Sequence, residues 1–317
     1  MQKENYGEVQ AMAYLFTHFT STDTTGDMEH IWFSVSEDGL HWTDLGKDPV
    51  LSSDLGTKGI RDPFIVYDEK LGKYFIIATD LLTKTGDWYK FSHEGSRSIL
   101  VWESEDLINW SEPRLCEIGI EDAGCVWAPE AVYCKEKDMW FVFFASNVQE
   151  ADEKERKQRI YGTFTKDFRE FTETFKYIDG ETALIDTNIV WDNGMYYRFT
   201  KDETNKFIVL DKCDTLVDKE YEKIHSETFA NFFGLEGPEA YFIDEMGKWC
   251  VIADQYHGNK GYTAFVTDDL ASGDYTQLSP DEYDMGERKK RHGGVIKIPQ
   301  NVAESLIRYY KLTKNIK

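Results

Sequence analysis

The chain alternates short runs of β-branched and aromatic residues with turn-forming residues, always in the same order. One set of runs is Tyr14–Phe19, Tyr74–Ala78, Trp140–Ala145, Tyr196–Thr200 and Trp249–Ala253. A second set follows: Ile31–Val35, Ile99–Trp102, Ile160–Phe164, Phe207–Leu210 and Tyr262–Val266. Apolar runs this short, bounded by turn residues, predict strands. After the second run comes a recurrent turn of Ser or Thr, a polar residue, Asp and then an aromatic. Its copies are Ser36-Glu37-Asp38 leading to Trp42, Ser104-Glu105-Asp106 to Trp110, Thr165-Lys166-Asp167 to Phe171, and Thr267-Asp268-Asp269 to Tyr275. Cys213-Asp214-Thr215, leading to Tyr221, is a degenerate fifth. An acidic side chain there closes a tight turn while the aromatic packs beneath it. Short strands and turns repeated five times predict an all-β, five-bladed β-propeller with about four strands per blade.

The first repeat lacks a strand opened by an acid before Tyr14. Val295–Ile298 supplies the missing strand from the other end of the chain. Closing the ring in this way removes an exposed sheet edge. The strand is therefore expected innermost in the blade of Tyr14–Phe19. From Asn301 to Tyr310 the pattern predicts a short amphipathic helix, with Asn301 as N-cap and Val302, Leu306 and Tyr309 on one face. No linker divides residues 1–317, which read as a single propeller domain. Thr83–Arg97 reads as a longer loop able to rim a pocket.

Composition narrows the partners. The net charge is -22, from 58 acidic against 36 basic residues. That repels phosphate backbones, so nucleic acid is not expected. An uncharged sugar is compatible with it, and so is a charge that serves only solubility. The five cysteines form no CxxC pair and are odd in number, so neither a disulfide framework nor a zinc site is expected. The N-terminal residues carry no apolar segment and there is no long apolar run. No membrane association is expected, and the chain reads as cytoplasmic, or as secreted or periplasmic with its signal peptide absent.

Candidate chemistry lies where acids open β-runs: Asp62 before Pro63, Glu130 after Pro129, Asp186 before Thr187, and Glu236 before Gly237-Pro238. First strands line a propeller's axis, so these acids and His292 are expected to face one another, in register, at one end of the channel. Clustering like charges is costly, which favours a site over a structural ring. Several carboxylates suit metal binding by oxygen ligands or glycoside hydrolysis. The aromatics Trp127, Trp88, Tyr256 and Tyr241 favour sugar stacking, although each also suits a propeller core.

Arg61-Asp62-Pro63, Trp127-Ala128-Pro129-Glu130, Ile185-Asp186-Thr187 and Glu236-Gly237-Pro238, followed by Arg291-His292-Gly293-Gly294, resemble glycoside hydrolase family 43. The resemblance runs from about Tyr14 to Ile298. It implies a five-bladed propeller that inverts the anomeric centre. It implies a general base at Asp62, a general acid at Glu236, a residue tuning that acid at Glu130, and a central ion or water at His292. Glu130 stands where the family usually has Asp. One methylene moves the carboxyl by roughly an ångström, so Asp186 is the alternative tuning residue. The strand set Tyr14 to Leu45, preceding the blade of Asp62, marks a distinct subgroup. Exo-acting α-L-arabinofuranosidase is the expected activity, with β-xylosidase and exo-β-galactosidase as alternatives. Arg198 and Arg291 are either donors to sugar hydroxyls or partners in salt bridges. No cofactor is expected to be required; the axis could hold Ca or water, and His292 could equally be a neutral ring bonded to a carboxylate. Glu236 is expected to hold a proton, with Glu130 and Asp62 ionised. A fructan-hydrolase-like propeller would need an earlier nucleophile and a Glu-Cys acid, which are absent. A carbohydrate-binding propeller without catalysis would be signalled by loss of Asp62 or Glu236, and both are present.

Overall fold

The computed structural model describes residues 11–20 and 29–312. Within them lie five four-stranded antiparallel sheets. In chain order the first strands of four blades are β4 (Ile60–Asp68), β8 (Trp127–Cys134), β12 (Leu184–Asp192) and β16 (Glu236–Ile243). Each is followed in its own sheet by the next three strands. The remaining blade has the order β20-β1-β2-β3, with β1 (Met12–His18), β2 (Trp32–Ser36), β3 (Thr43–Asp44) and β20 (Gly293–Pro299). Closure is as expected: Val295 pairs with Phe16 and Ile298 with Ala13.

The recurrent turns do what their composition demands. Asp38 Oδ1 accepts from the backbone N–H of Leu40 and His41, both at 2.8 Å. Asp106 accepts from Ile108 and Asn109, and Asp167 from Arg169 and Glu170. In these three copies the residue after the Asp takes a left-handed conformation, which Gly39 adopts freely at φ 77°. In two copies it is Leu107 or Phe168, each fully buried as an apolar plug between blades. Burial of a large apolar side chain, about 1.5–3 kcal/mol, offsets the strain of that backbone.

The other elements are three helices. The predicted loop 83–97 contains one short helix, α1 (Trp88–His93), with Asp87 as its N-cap. A one-turn helix, α2 (Glu227–Ala230), precedes β16. The C-terminal helix α3 is Gln300–Leu312, so Asn301 lies inside it rather than capping it. Ala303 and Leu306 are buried against the first blade. No helix among the described residues is long and apolar enough to cross a membrane.

Candidate active site

Each of the four acid-bearing first strands carries a bulge at the same place. Pairing with the second strand shifts between Arg61 and Phe64, Trp127 and Glu130, Ile185 and Thr187, and Glu236 and Glu239. One residue in each bulge has positive φ: Asp62 at 49°, Ala128 at 47°, Asp186 at 49° and Gly237 at 52°. These four positions are structurally equivalent, and the left-handed conformation is a strain that functional sites tolerate.

This register corrects the expectation that the acids are equivalent. Asp62 and Asp186 occupy the positive-φ position. Glu236 stands one residue before it, opposite Asp254 of β17 (Lys248–Gln255). Glu130 stands two residues after it, matching Phe64, Asn188 and Glu239. The axis therefore carries two layers. The outer layer holds Asp62, Asp186 and Glu236 at the strand openings. The inner layer holds Glu130, Asn188 and Glu239.

His292 joins the layers. Its Nδ1 lies 3.5 Å from Asp62 and 3.9 Å from Asp186, and its Nε2 lies 3.5 Å from Glu130. A Cβ added to Gly237 would come within 2.7 Å of the imidazole Cγ, so only glycine fits beside the ring. The surrounding carboxylates raise His292 well above the usual imidazole range despite burial. Among the described residues no group of three or more His, Cys, Asp and Glu is arranged as a metal site.

The outer acids are gripped by donors. Asp62 accepts from Thr79 Oγ1 at 2.9 Å, and Thr79 in turn accepts from the N–H of Ala128 at 2.8 Å. Burial alone would raise Asp62, but the His292 hydrogen bond and charge, with Arg61, hold it below the ordinary Asp value. Asp186 Oδ2 accepts the N–H of Gly237 at 3.1 Å, which ties it to the segment carrying Glu236. Burial pushes Asp186 up to about 6. Glu236 Oε2 accepts from Lys201 Nζ at 2.8 Å and Oε1 from Arg291 Nη2 at 2.6 Å. Burial opposes ionisation, yet the two cations together hold Glu236 below the usual carboxylate range. The expectation that Glu236 rests protonated is therefore overturned by the cations around it.

The inner acids have the opposite chemistry. Asn188 Nδ2 donates to Glu130 at 2.9 Å and to Glu239 at 2.7 Å. Glu239 also accepts from the N–H of Val295 at 2.7 Å. Burial lifts Glu130 to about 7 and Glu239 well above the carboxylate range. Glu130 thus lies in the inner layer beneath His292, raised by burial to about 7, rather than beside Glu236 as expected.

The other expected residues divide. Antiparallel pairing returns each second strand to the end where the first began, so the turns after second strands rim the site. Trp88 lies on that rim, with its ring 6.3 Å from Trp127 and edge-on to it. Arg61 lies over Trp88 and over Phe19, and donates to buried Glu29. Tyr256 reaches the site through Lys201, whose Nζ sits 4.5 Å from the ring centre. Arg291 is at the site but is shared between Glu236 and Asp254. Arg198 is not brought there. It makes a bidentate pair with Asp211, two contacts of 2.6 Å, and stacks 3.4 Å from the Tyr221 ring. Its salt-bridge alternative is the one realised. Tyr241 is core, packed on Tyr14 and Trp42.

Sequence reasoning missed Lys201, Thr79, Asp254, Asn188 and Glu239. The first three close apolar second strands, and a polar residue ending such a run was the available signal.

Residues 10–304 match the family model Glyco_hydro_43_rel, described as "Probable glycosyl hydrolase domain". An α-L-arabinofuranosidase of Bifidobacterium longum subsp. longum is 32% identical over 170 residues. That match covers 49% of this chain and only 16% of the longer relative. An endo-1,4-β-xylanase structure from Bacteroides thetaiotaomicron shares the fold, with a TM-score of 0.58 at 15% identity over 89% of this chain and 93% of that one. The catalytic domain of a GH62 α-L-arabinofuranosidase from Coprinopsis cinerea gives 0.54 at 14% identity, over 77% and 76%. The chain belongs to the glycosyl hydrolase 43-related family.

Proposed function

We propose that this chain hydrolyses terminal α-L-arabinofuranosyl bonds of plant-type polysaccharide or oligosaccharide side chains, with inversion at the anomeric carbon. Asp62 acts as general base and Glu236 as general acid. Asp186 takes the tuning role that the sequence resemblance had put on Glu130. The observation that carries this reading is the outer layer itself. Two unlike carboxylates, Asp62 beside Thr79 and His292, and Glu236 beside Lys201 and Arg291, open onto one axis with Asp186 hydrogen-bonded to Gly237. Inversion asks for a base that activates water on one face of the sugar and an acid that protonates the leaving oxygen on the other. The arabinofuranosyl assignment is supported by the Bifidobacterium relative. Trp88 and Trp127 are the candidate stacking surfaces for the sugar.

The test is a panel of para-nitrophenyl α-L-arabinofuranoside, β-D-xyloside and β-D-galactoside, with the first product anomer followed by proton NMR. Turnover of the arabinofuranoside to the inverted anomer supports the reading. Turnover of another member alone reassigns the sugar. A retained anomer overturns the division of roles between Asp62 and Glu236, and binding without turnover overturns catalysis.

The tuning role has its own test. Asp186→Asn removes negative charge near Glu236, which lowers the acid's affinity for its proton and moves the alkaline limb of kcat/KM downward. Glu130→Gln should leave that limb in place. The opposite pattern would return the role to Glu130.

A further inference from the structure

A general acid must carry a proton, yet Glu236 has a cation on each carboxylate oxygen. Each cation also has a second anion of its own. Arg291 is anchored by Asp254. Lys201, buried on β13 (Met195–Asp202), lies 2.7 Å from Glu203 Oε2 and over the ring of Tyr256. Glu203 sits in the turn after that strand, where its N–H bonds Ala183 and its other oxygen pairs with Lys206. Lys201 is thus poised between two carboxylates, one in the site and one on its rim.

We propose that Lys201 is the positioning residue that arms Glu236: it holds the resting carboxylate ionised and aimed, and releases it by shifting wholly onto Glu203 when a sugar enters. The inference rests on Glu236 being the acid. The step balances in charge and protons. When the Lys201–Glu236 pair opens, Lys201 stays an ammonium paired with Glu203, and Glu236 takes one proton from bulk solvent, which is balanced when Asp62 releases to solvent the proton it takes from the attacking water. That proton passes to the leaving oxygen, Glu236 becomes a carboxylate again, and the pair reforms. Arg291, held by Asp254, keeps Glu236 oriented throughout. Desolvation in the buried site and the charge of Asp186 both favour the protonated form once Lys201 has moved. The groups facing Glu236 are Lys201 from β13, Asp186 from β12, Asp254 from β17, Arg291 before β20, and Tyr256 and Glu203 on the rim.

Two measurements test this, one independent of turnover. Glutamate labelled with carbon-13 at Cδ allows Glu236 to be titrated by NMR in the intact protein, with Glu236→Gln fixing the assignment. Its midpoint should lie below the free-glutamate value in the wild type. It should rise by roughly one pH unit or more in Lys201→Met, as loss of a contacting opposite charge predicts, and return in Lys201→Arg. An unmoved midpoint in a Lys201→Met protein with wild-type circular dichroism overturns the proposal.

The second measurement compares pH profiles on an α-L-arabinofuranosyl oligosaccharide, whose leaving oxygen needs a proton. The alkaline limb of kcat/KM reports the free enzyme and that of kcat the complex. In the wild type the kcat limb should lie at higher pH, because binding releases Glu236. In Lys201→Met the kcat/KM limb should move up to meet it. In Glu203→Gln, which removes the second anchor, kcat should fall about tenfold and the gap should close from the other side, by descent of the kcat limb. Coincident limbs in the wild type overturn the latch. If the NMR midpoint moves while neither limb does, Lys201 controls Glu236 but Glu236 is not the acid, and the assignment of roles above fails instead.

Discussion

The two layers of the axis contain the same kind of side chain and treat it in opposite ways. Asp62 and Glu236 are surrounded by cations and hydroxyl donors and stay ionised despite burial. Glu130 and Glu239, a few ångströms of strand further in, share one neutral amide and are raised above the ordinary glutamate value. Burial raises all four, so it does not distinguish them. What does is the set of partners each meets: Thr79, Arg61 and His292 at Asp62, and Lys201 and Arg291 at Glu236, whereas Phe143 and Ile252 lie opposite Glu130 and Glu239. A carboxyl in a propeller channel is therefore reactive or inert according to the partners it meets.

The largest expected effect is in the outer layer. Glu236→Gln should lower kcat on oligosaccharides by about 10²–10⁴, the usual contribution of a general acid. It should cost much less on para-nitrophenyl glycosides, whose leaving group departs unprotonated. Asp62→Asn should damage both substrates equally, because water must be activated whatever leaves. Equal losses for Glu236→Gln on both substrates would remove the contrast between the two outer acids.

Next in size is the amide that serves the inner layer. Asn188→Ala leaves two buried carboxyls short of a donor, and each unsatisfied buried group costs about 1–3 kcal/mol. Denaturant unfolding should show a loss of that order per carboxyl. A neutral result would mean that the inner layer is not held by Asn188.

Gly237→Ala sharpens the junction between layers. The new Cβ meets the His292 ring, and φ there is positive, so the bulge must shift. Activity should fall tenfold or more, because displacements of about 1 Å at a catalytic group have effects of this size, with thermal stability reduced as well. Retained activity would mean that the His292–Gly237 packing does not position the outer acids.

The smallest effect concerns pH and stability. Glu130 has a folded pKa of about 7 against an ordinary 4.5, so the native state binds more protons across that window. Stability then falls as pH rises through it. His292, raised above 6.5, adds a loss of the same sign at higher pH. Glu130→Gln should flatten the slope between about pH 4.5 and 7 and raise Tm at neutral pH by roughly 1–2 °C, the shift that about 1 kcal/mol gives at the usual unfolding entropy per residue. A variant that keeps the wild-type slope would show that Glu130 is not the inner proton holder.

Much of this was legible in the chain. The Asp-containing turns, the alternation of apolar runs and the stray strand Val295–Ile298 specify blade number and closure, because each is a local pattern with a local cause. Asp62, Asp186, Glu236 and His292 were recognisable as residues that open first strands. The misreadings share one origin. Glu130 follows its proline and Asp62 precedes one, and the two look alike until the bulge is counted. Arg198 and Lys201 lie three residues apart on β13 and face different neighbours, Asp211 and Glu236.

The sequence by itself determined that five blades form, that the ring closes through its C-terminal strand, and that acids gather at the openings of the inner strands. Those outcomes depend on hydrophobic periodicity and turn chemistry, which act between residues close in the chain. Only the tertiary structure decided how deep each acid lies and which cation it meets. One bulged residue shifts an acid along the channel, and the partners that set its charge come from strands and turns distant in sequence, where Coulomb attraction and desolvation act through space.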